Sequence, residues 1–257
     1  MSLKNQNKLE DLINILKKLR SPNGCEWDRE QTHESLIPYL LEETYEVIEA
    51  IKEQDYMLLK EELGDLLLHI IFQAELASEK EKFNIFDSIQ NINEKLINRH
   101  PHIFSDKEDQ SWQTGSWELA KQKEKKRNSI LDGVPKALPA LTKARRIQEK
   151  ASVVNFDWEN IEQVYHKVDE ELFELKEAIK SKKNNDIEDE LGDVLFTIVN
   201  LSRHVEINPE VALDKSISKF IDRFHKLEQY MQKNKLDFKK QSVEKLDQLW
   251  NQIKSKK

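Results

Sequence analysis

A single cysteine, Cys25, occurs among 257 residues. One thiol excludes an intrachain disulfide framework and fits a reducing compartment. Glycine and proline are scarce as well, five and six, so turn signals are few and long helices are favoured over many short strands. No stretch approaches the roughly 18 continuous apolar residues of a membrane span. The polar opening MSLKNQNKLEDL has no apolar signal-peptide core. A soluble, cytoplasmic protein that does not engage membranes is expected. Excess positive charge is also missing: 41 basic against 48 acidic residues leave a net charge of −7, so stable nucleic-acid binding is not expected. Neither GxxxxGK[ST] nor a Gly-rich dinucleotide loop is present, which removes those two phosphate cradles.

What the chain does contain is one acidic pattern written twice. Glu42, Glu43 and Glu46 are followed by Glu62 and Asp65; Glu170, Glu171 and Glu174 are followed by Glu190 and Asp193. Fifteen residues separate the two clusters in both copies. The repeat extends beyond carboxylates. Lys95 and Arg99 match Lys219 and Arg223, and Trp117 and Lys121 match Trp250 and Lys254, with the spacing inside each pair retained. Trp27 and Trp158 each precede an acidic helix. A core built twice explains this better than chance.

Apolar residues recur at three- and four-residue steps through most of the chain. Helices are expected over residues 8–20, 35–52, 56–79, 85–97 and 117–127, then over 143–151, 161–180, 186–203, 209–233 and 243–254. Residues 99–116 read as a loop. Gly133, Pro135 and Pro139 cluster in ILDGVPKALPAL. The expected organisation is therefore an all-α tandem repeat of two helical bundles, residues 1–129 and 142–257, joined by a 130–141 linker. The short break at residues 53–55 makes the helices on either side of it antiparallel neighbours.

Glu43 and Glu46 lie three apart and project from one helical face; Glu62 and Asp65 do the same on the next helix. Antiparallel packing brings four carboxylates to one volume. Their repulsion must be relieved by protonation or by a cation. Oxygen-only donors suit Mg²⁺ or Mn²⁺ rather than structural zinc, and where a di-iron bundle would show Glu-x-x-His the second motif has Asp in both copies, with His69 outside that spacing. A lone EExxE is usually a solvated helix face; two copies, each coupled to ExxD, argue otherwise. Gly64 and Gly192 add weight, because Gly within a helix costs about 1 kcal/mol against Ala and needs a packing or access reason. Each Lys-x3-Arg pair can turn both heads to one side and hold phosphate oxygens, and a Trp ring can stack on a base. Taken together these describe a nucleotide site. Cys25 has no partner pattern for catalysis and reads as structural; His100 and His102 read as loop residues.

With these residues the chain resembles the MazG-type nucleoside triphosphate pyrophosphohydrolases of the all-α NTP pyrophosphatase superfamily. Beyond the acidic motifs, the strings CEWDREQTHESLIPYLLEETYEV, NRHPHIF and LDGVPKALPAL carry the resemblance, which spans nearly the whole chain. Glu26 departs from it, standing where the pattern has Pro. The resemblance implies Mg²⁺-dependent hydrolysis of (deoxy)nucleoside triphosphates to monophosphate and pyrophosphate, a broad housecleaning activity, with Mn²⁺ a possible substitute. It implies metal binding by Glu171, Glu174, Glu190 and Asp193, and by Glu43, Glu46, Glu62 and Asp65. Catalytic work at the water falls to Glu170 and Glu171, and to Glu42 and Glu43. Lys219, Arg223 and Lys254 would hold phosphates and Trp250 the base, with Lys95, Arg99, Lys121 and Trp117 as N-terminal counterparts. It also implies a homodimer in which paired helical units complete the sites. The alternatives are a dedicated dNTP or phosphoribosyl-nucleotide enzyme, and a nucleotide-sensing or scaffold protein without turnover.

Overall fold

The computed structural model describes residues 8–104 and 128–255. Trp117 and Lys121, with the helix expected around them, lie outside the described residues. The chain forms two compact units, residues 1–112 and 113–257. Among the described residues all regular structure is helical, as the spacing of apolar residues predicts.

The first unit contains α1 (Lys8–Arg20), α2 (Glu26–Glu30), α3 (Ile37–Glu53), α4 (Tyr56–Glu79), α5 (Ile85–Arg99) and α6 (Pro101–Phe104). Pro38 sits in the first turn of α3, where a missing N–H costs nothing. Gln54, in the left-handed region at φ 58°, ends α3. Asp55 then caps α4, accepting from the backbone N–H groups of Met57 at 2.9 Å and Leu58 at 3.1 Å. So short a connection folds α3 and α4 into an antiparallel pair. A capping box between Asn84 and Asp87 starts α5. Two elements were not foreseen: the single turn α6 inside the expected loop, and the short α2 in the break after α1.

The core of this unit joins α1, α4, α5 and the N-cap of α3 through Ile13, Leu16, Leu36, Ile71, Phe72 and Ile85. Each such fully buried side chain contributes about 1.5–3 kcal/mol. Arg20 closes the edge of this core. Its guanidinium forks onto Glu79 at 2.6 and 2.7 Å and lies over the Phe72 ring, 5.2 Å from its centroid.

The second unit contains α7 (Ala140–Ser152), α8 (Ile161–Ser181), α9 (Asn184–His204), α10 (Pro209–Lys233), a 3₁₀ turn (Phe238–Lys240) and α11 (Val243–Ser255). Asn160 and Asn208 cap α8 and α10. Lys182, left-handed at φ 59°, turns the chain between α8 and α9 as Gln54 does between α3 and α4. Residue 130 is tied to this unit: Lys150, almost wholly buried, donates from Nζ to the Ile130 carbonyl at 3.0 Å. Leu227, Met231 and Leu249 form a separate small cluster between α10 and α11.

Apolar side chains remain exposed at repeated positions. Leu63, Leu67 and Ile70 on α4 correspond to Leu191, Leu195 and Ile198 on α9, and all six are exposed. Gly64 and Gly192 lie on these same two helices. A Cβ built on either one meets no atom within 4 Å. The packing reason expected for these glycines is therefore not found within the described residues of a single chain.

Candidate functional site

The antiparallel helix pairs do bring carboxylates together. Oxygens of Glu43, Glu62 and Asp65 lie within 4.8 Å of one another in the first unit; oxygens of Glu171, Glu174 and Glu190 do so in the second. Glu62 is 9% exposed and Glu171 5%. The fourth expected member of each set acts on its neighbours through its charge: Glu46 beside Glu43 and Glu62, Asp193 beside Glu190.

Burial raises the Glu43 carboxyl above its ordinary range, and the charges of Asp65, Glu46, Glu62 and Glu42 raise it further. Glu62 is raised by burial, then by Glu46, Asp65 and Glu61, against a hydrogen bond with Glu43. Glu190 is raised by burial, then by Glu174, Asp193, Glu171 and Asp189. Clustered anions that resist ionising, with oxygen donors alone, fit a hard divalent cation.

These shifts make a stability prediction. The raised carboxyls hold their protons more tightly in the folded metal-free chain than in the unfolded one. Their contribution is complete at low pH and is lost as pH rises above the ordinary carboxylate range of about 4–5. With EDTA present, the melting temperature should therefore fall as pH rises beyond that range, where carboxyls held low, such as Asp157, are already ionised in both states and contribute no further change. Added Mg²⁺ should raise it most at the alkaline end. Calorimetry giving a Mg²⁺ increment independent of pH would contradict this assignment.

The two clusters differ in their surroundings. In the second unit Lys167, one turn before Glu171, places Nζ 2.8 Å from both Glu170 and Glu171. The hydrogen bonds it donates to these two carboxylates push the lysine well above its ordinary range. Lys167 falls outside the repeat, because the first copy has Tyr39 at that position. Thr197 and Asn200 of α9 likewise correspond to His69 and Phe72 of α4.

In the first unit these positions hold a run of rings. Trp27 meets Tyr39 edge-on at 5.8 Å, and Tyr39 stacks on His69 at 6.3 Å. His69 Nε2 lies 3.9 Å from Glu43. Burial lowers the His69 imidazole below its ordinary range, against the opposing charge of Asp65. Phe72 is buried in the core.

In the second unit the corresponding positions line a cavity of about 500 Å³, whose wall includes Lys167, Glu171, Asp193, Thr197 and Asn200. Phe156 and Trp158 form part of the same wall. Asp157 between them latches their segment to α9. It pairs with Arg203 Nη2 and lies 3.2 Å from His204 Nε2. Burial pushes the Asp157 carboxyl up, but the hydrogen bond and charge of Arg203, with His204, outweigh it, leaving the group below its ordinary range.

The expected phosphate and base residues are placed less centrally. Lys219, Arg223, Trp250 and Lys254 take no part in the cavity wall. Trp250 packs on Phe220 at 5.0 Å, against the small cluster between α10 and α11. Lys219 and Lys254 are exposed and Arg223 is half-buried. Lys95 lines a shallow hollow on α5 with Phe83 and Asp87, apart from the acidic cluster, and Arg99 ends the same helix. No described helix is long and apolar enough to cross a membrane.

Two stretches, residues 31–104 and 159–228, match the family described as the MazG nucleotide pyrophosphohydrolase domain. The chain is 51% identical over 247 residues to the nucleoside triphosphate pyrophosphohydrolase/pyrophosphatase MazG of Thermotoga maritima, covering 95% of each chain. It is 39% identical over 258 residues to the nucleoside triphosphate pyrophosphohydrolase of Escherichia coli K12, covering 96% of this chain and 97% of that one. The nucleoside triphosphate pyrophosphohydrolase of Mycobacterium tuberculosis is 40% identical over 150 residues, 56% of this chain and 45% of that one.

Proposed function

The chain belongs to the MazG nucleotide pyrophosphohydrolase family, and from that premise we propose that it hydrolyses (deoxy)nucleoside triphosphates to monophosphates and pyrophosphate with Mg²⁺. One observation carries this reading. In the second unit Glu171 of the acidic cluster, its bridging lysine Lys167, and Asp193 line one cavity of about 500 Å³. The role is broad housecleaning in the cytoplasm, removing non-standard or excess nucleotides. The modules are residues 1–129 and 142–257, joined by 130–141.

Glu171, Glu174, Glu190 and Asp193 would hold Mg²⁺, which neutralises triphosphate charge and makes water more acidic. Glu43, Glu46, Glu62 and Asp65 offer the equivalent set. Water attacks the α-phosphorus. The new P–O bond forms as the bond from that phosphorus to the α,β-bridging oxygen breaks, and pyrophosphate leaves with the electron pair. Glu170 takes the proton from water, its carboxylate positioned by Lys167. The working copy is the C-terminal one, because Tyr39, His69 and Phe72 occupy in the first unit the positions that line the cavity in the second.

Lys219, Arg223 and Lys254 bind phosphate oxygens across a homodimer. This rests on two features. Apolar residues are exposed at the same positions of α4 and α9, as expected of an interaction face, and the cations are absent from the cavity wall of their own chain. Gly192→Ala tests that face. On the isolated helix it should stabilise by about 1 kcal/mol, yet shift the sedimentation equilibrium toward monomer. An undiminished dimer would remove Gly192 from the interface.

Product analysis with a panel of nucleoside triphosphates tests the activity. Monophosphate and pyrophosphate should appear in equal amounts, and only with Mg²⁺. Orthophosphate with diphosphate, or no Mg²⁺-dependent turnover, would overturn the reading. Undiminished binding without hydrolysis would favour a sensing role instead.

A further inference from the structure

The cavity of the second unit is walled in part by the chain that precedes α7. Leu131 is one of its lining residues, and it belongs to the Gly/Pro-rich stretch that reads in the sequence as a linker. It lines the cavity while 42% exposed, so it stands between the cavity and solvent. The turn that carries it is closed on itself. The Ser129 backbone N–H donates to Asp132 Oδ2 at 2.9 Å, and the Leu131 backbone N–H donates to Ser129 Oγ at 3.1 Å. Gly133, left-handed at φ 78°, then redirects the chain. Contacts within a turn hold its shape; they do not hold it against the rest of the unit.

Lys150 makes that second connection. Ile147, Gln148 and Ala151 of α7 line the cavity, and Lys150 is not among the lining residues. It is 2% exposed, and its Nζ donates to the Ile130 carbonyl at 3.0 Å. Burying an ammonium is costly, and a well-packed apolar side chain of similar volume often serves stability as well. A lysine so placed is explained by what it holds, the main chain one residue before Leu131. Resting on the pyrophosphohydrolase reading, we propose that Lys150 is a positioning residue: by fixing Ile130 it keeps Leu131 on the cavity wall, and so sets how tightly substrate is bound. The carboxylates and Lys167 stand on α8 and α9, so the events at the reacting phosphorus do not pass through this segment. Residues 129–133 are accordingly a working part of the second unit as well as a connection between the repeats.

The test measures KM and kcat for ATP, with Mg²⁺, in the full wild-type chain, Lys150→Met, Leu131→Ala and the double variant. Leu131→Ala should raise KM by about tenfold and leave kcat within about threefold, the mark of lost apolar contact in uniform binding. Lys150→Met should do the same, because the Ile130 carbonyl loses its donor and the turn is released from the wall. The two effects should not add: the double variant should have a KM within about threefold of Leu131→Ala, since Lys150 then has no leucine to position. A lysine that only supports the fold would lower the melting temperature and leave KM unmoved, or would raise KM by the same factor with and without Leu131; either result overturns the inference. So would an unchanged KM in Leu131→Ala. Should Lys150→Met fail to fold, Asp132→Ala releases the same turn from its exposed side and takes its place in the cycle, where additive effects on KM would again overturn the inference. In all these cases continued pyrophosphate release leaves the activity itself standing; no pyrophosphate from any nucleotide in the wild type would instead overturn the proposed function.

Discussion

Glu190→Gln should lower pyrophosphate release by at least about 100-fold, the scale of removing one preorganised electrostatic group, while Glu62→Gln leaves it within about twofold. The two residues are repeat equivalents, and each belongs to a carboxylate cluster of the same kind. Each holds its proton above the ordinary range through burial and neighbouring anions. Their own chemistry does not separate them; their surroundings do. Glu190 lies in a unit where Lys167 bridges Glu170 and Glu171 and where a cavity adjoins the carboxylates. Around Glu62 the equivalent positions carry Tyr39, His69 and Phe72, which stack or fill the core. Steady-state assays on both variants, with pyrophosphate detected directly, make the comparison. Loss confined to Glu62→Gln would transfer the activity to the first unit.

The carboxylate clusters were legible in the sequence because a three-residue step on each of two helices, joined by a short turn, leaves little freedom in where the groups meet. The αL residues Gln54 and Lys182 close those turns in both units. Lys167 was not legible in the same way. A repeat draws attention to what its copies share, and Lys167 stands where the first copy has Tyr39. Its cue was local: a lysine four residues before Glu171 on one helix face. The cavity could not be read at all, because α7, α8, α9 and the latched segment at residues 155–158 all contribute to it. Trp250 shows the converse. Its spacing to Lys254 repeats that of Trp117 to Lys121, yet the ring packs on Phe220 instead of joining the cavity wall. Spacing along one helix fixes which residues share a face, not what that face meets.

Lys167→Met should move two observables in opposite directions. The lysine bridges Glu170 and Glu171, so in the metal-free chain it offsets part of the anionic cluster. Methionine keeps much of the side-chain bulk and removes the charge. Mg²⁺ then no longer competes with an ammonium for Glu171, and its affinity should rise by about tenfold, a change of about 1.4 kcal/mol. Hydrolysis should nevertheless fall, by about 100-fold, because Glu170 loses the contact that positions it toward water and the triphosphate loses a cation beside the cavity. The metal-free melting temperature should drop, since Glu171 is almost wholly buried and is left without its partner. Saturating Mg²⁺ should recover the stability but not the rate. Titration calorimetry with Mg²⁺, alongside melting curves and turnover, reads all three. A variant whose metal affinity and turnover fall together would mark Lys167 as a structural prop for the helix, whereas tighter metal with slower turnover would place it in the reaction.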